Sequence, residues 1–435
     1  MAQIAQRALR VATASGASDA EVEVSAAVGQ SVTVRRGEVE TVEYNRDKGL
    51  SITVFFGARR GNASTSDLLP EAIDRTVEAA CAIARHTAED EAAGLPDAER
   101  LFKGPIPDLD LLHPWGLTVE EAIELARRTE AAALRVDKRI TNSEGATISA
   151  YDTDFILANT RGFMGGFPSS KASIGCGVVA EERGAMQRDY WYSTNRDPSR
   201  LDDPDTVGRT AGERAVRRLG GRRLQTMEVP VLFEANIASS LISHFVSAAS
   251  GSSLYRRSSF LLDKLGTQVF APGVDIFEDP HRPGEIASAY FDAEGVATES
   301  RALVEGGVLN GWFLSSYSAR KLGLESTGNA GGNHNLLVKP GPHDFDGLVK
   351  QLDRGLVVTE LMGQGVNSVT GDYSRGAAGY WVENGQIQFP VEEVTIAGHL
   401  PEMFLGIVGV GSDVLVRGSK HCGSILVERM TIAGD

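Results

Sequence analysis

The chain runs to 435 residues, 42% hydrophobic and 23% charged, with a formal net charge of −15. That length predicts two or three domains with ample core. The acidic balance, with no Lys/Arg stripe interleaved with aromatics, argues against direct nucleic-acid binding, because phosphate recognition needs a basic footprint.

The opening AQIAQRALRVATASG has the polar and apolar spacing of an amphipathic helix that stops at Gly16, and it lacks the apolar run of a signal peptide. From Glu21 to Phe56 the segments EVEVSAAV, SVTVRR, VETVEY and LSITVFF alternate as strands between glycines, which predicts a small antiparallel sheet. Pro70 opens a helix to about His86, and an acidic, Pro-bearing run from Glu89 to Pro114 has the composition of a linker. Thr118 and Glu121 form a capping box for a helix to about Val136, followed by strand segments and a second helix from Asp205 to Leu219. From Glu228 onward Gly-punctuated strands dominate, with Asn384-Gly385 as a hairpin turn. The expected class is α+β and multi-domain: small antiparallel sheets with packed helices in an N-terminal domain (1–88) and a central domain (117–222), a linker at 89–116, and a β-rich C-terminal domain at 228–435. No stretch approaches the roughly 20 apolar residues that span a bilayer. Cys81, Cys176 and Cys422 lie far apart with no CxxC pair, which suits a reducing, cytoplasmic setting. The arginines at Arg256-Arg257 and from Arg217 to Arg223 are expected on solvated faces.

Chemistry concentrates in two places. Asn236 is placed to cap a helix from Ile237, on which Ile237, Leu241, Phe245 and Ala248 form an apolar stripe. At about 100° per residue, Ser239, Ser240, Ser243 and Ser247 fall on the opposite side, where small uncharged residues suit a close contact or a cavity wall. His244, at the stripe's edge, is expected to be a packed histidine with a satisfied hydrogen bond, and Cys422 a small buried hydrophobe. Ser240 stands four residues from His244, yet no orienting carboxylate or oxyanion hole is at hand for a serine hydrolase. The second place is the Gly-flanked loop chemistry of Asp372, Tyr373, Ser374 and Arg375, where Asp372 and Arg375 could equally pair with each other; with His334 in the glycine-rich STGNAGGNHN, these are the candidates for a peptide-binding or chamber surface. No nucleophile elbow, Walker loop or dinucleotide fingerprint occurs.

The blocks SSLYRRSSFLLDKLG, FDAEGVATE, LSSYSARKLGLESTGNAGGNHN, GLVVTELMGQGVNSVTGDYSRGAAGYWVENG and VTIAG resemble the PmbA (TldE) branch of the TldD/PmbA family of bacterial proteases, throughout the third unit and more loosely before it. The metal-bearing branch carries His-Glu-x-x-x-His on the matching helix. Here that window is Ser239-Ser240-Leu241-Ile242-Ser243-His244, so only His244 survives, and Cys422 falls where a third ligand would stand. Hydroxyls replace neither an imidazole ligand nor a carboxylate base. The resemblance implies no catalytic residue and no metal on this chain, remnant positions only, with zinc supplied by a TldD-like partner subunit in a cytoplasmic assembly that cleaves unfolded peptides inside a chamber. A peptide added as a strand to a sheet edge would explain broad sequence tolerance. The family has also been described as a modulator of DNA gyrase, an effect that an acidic chain would exert through proteolysis rather than DNA contact. The alternatives are a stand-alone metallopeptidase using His244, Cys422 and a third group, and a non-catalytic homodimer that binds peptides.

Overall fold

The protein is described from a computed structural model, over residues 1–434. Helix α1 (Ala2–Ala14) buries Ala5, Ala8 and Ala12, the spacing of one helical face, and stops before Gly16. Strands β1 (Asp19–Arg35), β2 (Glu38–Phe56) and β3 (Arg59–Thr65) follow, then α2 (Pro70–His86) with its proline at the first turn. After an irregular stretch come α3 (Val119–Leu134), β4 (Ile140–Asn159), β5 (Met164–Gly165), β6 (Ser169–Glu182), β7 (Ala185–Asn195) and α4 (Pro204–Arg217). The capping box of α3 is formed: the Thr118 hydroxyl accepts from the Glu121 N–H at 3.2 Å, and the Glu121 carboxylate accepts from the Thr118 N–H at 2.9 Å.

The α+β class holds, but the two helix–strands–helix units share one sheet instead of owning one each. Its order is β3-β2-β1-β4-β6-β7, with β5 beside β4, because β1 pairs antiparallel with β4 from Glu21↔Asn159 to Val34↔Ala146. Val22, Val24, Val32 and Val34 of β1 are all buried and share one face by the two-residue period. On that face α1 and α2 cover one half of the sheet, and α3 and α4 cover the other. Gly208 and Gly212 let α4 settle onto α3: a Cβ at Gly208 would lie 1.9 Å from the Thr129 carbonyl oxygen. The hairpin between β1 and β2 turns through Arg36 and Gly37, whose N–H groups donate to the Glu130 carboxylate of α3 at 2.7 and 2.8 Å. Beyond it, Glu38 to Lys48 of β2 is exposed throughout. Strand β3 pairs only with Leu50–Phe56, so the outer edge of that stretch carries no further strand among the described residues.

The C-terminal unit comprises β8 (Met227–Phe233), α5 (Ala235–Ala248), α6 (Gly251–Tyr255), β9 (Ile276–Glu278), β10 (Arg301–Glu305), β11 (Val308–Leu309), α7 (Ser316–Leu322), β12 (Leu336–Val338), α8 (Phe345–Leu352), β13 (Gly355–Met362), β14 (Asp372–Glu383), β15 (Gln386–His399), α9 (Leu400–Leu405), β16 (Ile407–Val410), β17 (Lys420–His421) and β18 (Ile425–Ala433). One sheet runs β15-β14-β13-β8-β18-β16 and a smaller one β11-β10-β9-β12-β17. Thr395–Ala397 of β15 also pair with Thr431–Ala433 of β18, so the larger sheet curls round onto itself and offers little free edge to an incoming strand. Asn384 and Gly385, both with positive φ, make the β14–β15 turn. Val231 and Phe233 of β8 face α5 in the main core, while Leu232 faces α8.

The stretch at 89–116 is a strap rather than a free connector. Asp90 accepts from Tyr317 and Lys321 at 2.7 Å each, Arg320 donates to the carbonyls of Ala92 and Gly94, and Leu101 bridges to Val296. Among the described residues no helix is long and apolar enough to cross a membrane, and Cys81, Cys176 and Cys422 are buried and unbridged.

Candidate functional site

Helix α5 leaves β8 directly. The Glu234 N–H is held by the Val358 carbonyl at 3.0 Å, which keeps the chain in the sheet to that point and starts the helix at Ala235. Asn236 therefore lies inside the first turn and does not cap it. Its Nδ2 donates to the Thr359 carbonyl at 3.4 Å, and no side chain caps the helix, because Glu234 gives its carboxylate to Arg214. The apolar face buries Ala238, Leu241, Ile242, Phe245 and Ala248. Ser239, Ser240 and Ser243 line a cavity of about 370 Å³, and Ser247 is exposed beyond it. The opposite wall is β13 and β14. Asp372 to Arg375 belong to β14, not to a loop, and strand alternation separates them: Asp372 and Ser374 point to solvent while Tyr373 and Arg375 turn toward α5. The Asp372 carboxylate takes a hydrogen bond from Thr370 and does not pair with Arg375.

Six buried polar atoms around this wall have no hydrogen-bond partner: Asn236 Oδ1, Ser240 Oγ, His244 Nε2, Thr359 Oγ1, Tyr373 Oη and Arg375 Nε. Such a concentration is unusual in a folded protein, where buried polar groups are nearly always satisfied. His244 is thus not the hydrogen-bonded histidine the sequence suggests. Its ring stands edge-on to Tyr373 with centroids 5.9 Å apart, and burial together with the Arg375 guanidinium lowers its pKa. Burial pushes the Tyr373 phenol up to about 12. Imidazole and phenol are both neutral at neutral pH, and Arg375, half-buried beside them, forms no ion pair among the described residues. Since Ser240 Oγ and His244 Nε2 both lack partners, no serine–histidine pair is formed.

The far side of the cavity is held by ions. Arg218 meets Glu360 at 2.5 Å and Asp189 at 3.7 Å, while Arg214 meets Asp189 at 3.3 Å and Glu234 at 2.9 Å. Arg214 and Arg218 are 12% and 11% exposed at the side chain, so Arg218 is no member of a solvated face. Sequence reasoning missed this network, although Arg214 and Arg218 stand one helical turn apart beside buried Ala211 and Ala215, a signal available from the helical period. Burial raises Glu234 above the usual carboxylate range and Arg214 opposes that rise. The network joins α4 and β7 to β13 and the start of α5, which fixes the cavity's shape.

Three family domains match in sequence order: PmbA/TldA metallopeptidase domain 1 at residues 20–84, the central domain at 112–219, and the C-terminal domain at 226–434. The chain belongs to the PmbA/TldD metallopeptidase family. It is 50% identical to the metalloprotease PmbA of Escherichia coli O157:H7 over 423 residues, covering 97% of this chain and 94% of the relative. The metalloprotease PmbA homolog of Haemophilus influenzae is 46% identical, covering 98% and 95%. The crystal structure of a proposed modulator of DNA gyrase from Bacteroides thetaiotaomicron superposes with a TM-score of 0.95 at 29% identity, covering 100% of this chain and 99% of that one. These matches place the chain on the PmbA/TldE branch of the PmbA/TldD family.

The zinc helix of the PmbA/TldD family gives a test for the residues in this chain. The window presents two hydroxyls and one imidazole, and beside that imidazole stands a guanidinium, whose charge would repel a divalent cation as it repels a proton. Cys422 is fully buried. Its thiol is pushed up to about 12 by burial and by Asp413, and its Sγ–H donates to the Gly423 carbonyl, so no thiolate is on offer. These residues do not fit zinc, and no group of three or more His, Cys, Asp or Glu placed to hold a metal occurs among the described residues. His334 lies elsewhere: its Nε2 stands 2.9 Å from the Gly328 carbonyl oxygen, and it lines a cavity of about 720 Å³ beneath the N-terminal sheet.

Proposed function

We propose that this chain is the non-metal-binding subunit of a cytoplasmic peptidase, paired with a TldD-like chain that carries the zinc and cleaves unfolded peptides. The observation that carries the reading is Arg375: where a metal-bearing relative needs a field that draws a cation, this chain presents a lone positive charge against a neutral histidine and hydroxyls. That arrangement cannot activate water, yet it suits a wall that holds a substrate while a neighbour performs the chemistry. Its surroundings are rigid, set by the Arg214 and Arg218 ion network. We take DNA gyrase effects, if this chain has them, to pass through a cleaved peptide.

Co-expression with a TldD-like chain tests the proposal. A complex that co-purifies and cuts an unstructured peptide, loses activity with a chelator, and cannot be replaced by either chain alone is the expected result. The single chain should hold far less than one equivalent of zinc. Near-stoichiometric zinc in the isolated chain, or peptide turnover by it, would establish the stand-alone metallopeptidase instead. A homodimer that binds peptides and ignores the TldD-like chain would establish the binding protein.

A further inference from the structure

We infer that the cavity between the N-terminal sheet and the C-terminal unit binds a basic residue of an extended peptide, with Glu23 and Asp47 drawing the cation and an apolar floor taking a neighbouring side chain. The register of the sheet makes the hollow. The odd-numbered residues in the first half of β1 face away from the helices, because Val22 and Val24 are the ones buried beneath them. On that face Ser25 stands between Gly49 and Phe155, and Ala27 between Asp47 and Thr153, so small side chains along β1 leave room. The facing wall is made by residues 286–293 and 330–334, and the space between is about 720 Å³, inside the range of ligand sites, which favour domain boundaries. Ala27, Phe155, Phe167, Ile286 and Ala289 line it and are only partly buried, so apolar surface is open to an occupant. The wall is pinned from behind: Asn335 Nδ2 donates to the Asp279 carbonyl at 3.0 Å and to Ser288 Oγ at 2.8 Å, and its Oδ1 accepts from the Ala287 N–H at 3.1 Å.

Charge selects the occupant. Lys48 and Asp154 both lie opposite Ala26, on the other face of the sheet, and their charges cancel. On the cavity side Glu23 and Asp47 are exposed and Asp292 is buried, against a single guanidinium, that of Arg196. None of these four forms an ion pair among the described residues, and Arg196 spends its donors on the carbonyls of Ser170, Glu285 and Ile286. Burial and then Glu294 raise Asp292 to about 7. With histidine counted as neutral, three carboxyls against one guanidinium leave two negative charges, or one where Asp292 holds a proton. The rim adds a backbone edge. Asp47, Lys48 and Gly49 belong to the part of β2 that β3 leaves unpaired, since the register of β3 ends at Leu50↔Thr65. Such an edge accepts an extended chain through main-chain hydrogen bonds, and Glu38, Glu40 and Glu43 carry the same sign along it. That the occupant is a peptide rests on the function proposed above; the cavity and its sign do not.

The test uses the purified full chain without a partner, so it stands apart from any cleavage assay. Calorimetric titration at low salt would compare acetyl-Ala-Phe-Arg-Ala-amide with the same peptide carrying Gln or Glu in place of Arg. The expected result is binding of the Arg peptide, the Gln peptide weaker by about fivefold, the scale of a partly exposed ion pair, and the Glu peptide weaker still. The double variant Glu23→Gln with Asp47→Asn should unfold at nearly the wild-type temperature and bind the Arg and Gln peptides alike. Ala27→Phe, which fills the hollow, should weaken both. Equal binding of the Arg and Gln peptides by the natural chain, tighter binding of the Glu peptide, no binding at all, a full Arg preference in the folded double variant, or unaltered binding by a folded Ala27→Phe variant would overturn the inference. In each of these cases an active complex with a TldD-like chain would still leave the subunit role standing, and a failed complex would leave the binding result as measured.

Discussion

Arg375 governs the titration of its neighbour. Its charge and the burial around the imidazole both depress His244, so Arg375→Met should raise the His244 pKa while burial alone still holds it under the ordinary value of 6.5. An NMR titration of the imidazole protons checks this, and an unchanged midpoint would show that the guanidinium is screened from the ring. The sign carries to stability. A histidine depressed in the fold is neutral in both states above pH 6.5, and its contribution is lost as pH falls from there through the folded pKa. The serine face of α5 was legible from periodicity alone, because a helix sorts side chains every 3.6 residues. Arg375 was legible as a candidate but not in its place beside His244, since that depends on β14 being laid against β13, opposite a helix more than 100 residues earlier. Nor could the sequence show that Glu234 would be drawn to Arg214 and leave Asn236 inside the first turn.

The elements with local causes were readable: Thr118 with Glu121 start α3, Pro70 starts α2, and Asn384-Gly385 turn a hairpin. What local signals cannot carry is partnership between distant strands. Each N-terminal unit therefore looks self-sufficient, whereas β1 pairs with β4 across the strap and two helices. The α3–α4 contact is a case where a single atom decides. Gly208→Ala would place its methyl carbon 1.9 Å from the Thr129 carbonyl oxygen, a backbone atom that cannot step aside without moving α3. Alanine gains about 1 kcal/mol of helix propensity over glycine, but overpacking costs about 1–3 kcal/mol and acts on a rigid contact, so the variant should be destabilised. Urea unfolding would show it as a lower midpoint, and a more stable variant would mean the two helices are more loosely seated than the structure has them.

At the scale of the whole molecule, one half-buried acid of the N-terminal sheet faces two acids of the C-terminal unit. Glu21 of β1 is raised to about 8, first by burial and then by Glu294 and Asp292 across the interface, with Glu23 adding and Arg60 opposing. The folded protein keeps a proton that the unfolded chain releases above about 4.5, so this contribution is complete below that value and lost as pH climbs through about 8. Glu21→Gln should therefore flatten the decline of melting temperature between pH 5 and 8 and raise stability at the upper end. Parallel curves for the two proteins would refute the shift.

The outer border of β2 has a consequence for solubility. From Glu38 to Lys48 one edge pairs with β1 while the outward edge has no strand partner among the described residues, and Val39, Val42 and Tyr44 stand exposed beside it, which is the profile of a seed for runaway stacking. Glu38, Glu40, Glu43 and Asp47 outnumber Arg46 and Lys48 along this stretch, and that acidic excess is the feature expected to keep two such ribbons apart. Exchanging the three glutamates for glutamine should leave the monomer's thermal transition close to its present value and yet turn concentrated solutions cloudy at low salt. Light scattering against time would record this, and a solution that stays clear would assign the safeguard to some other part of the surface.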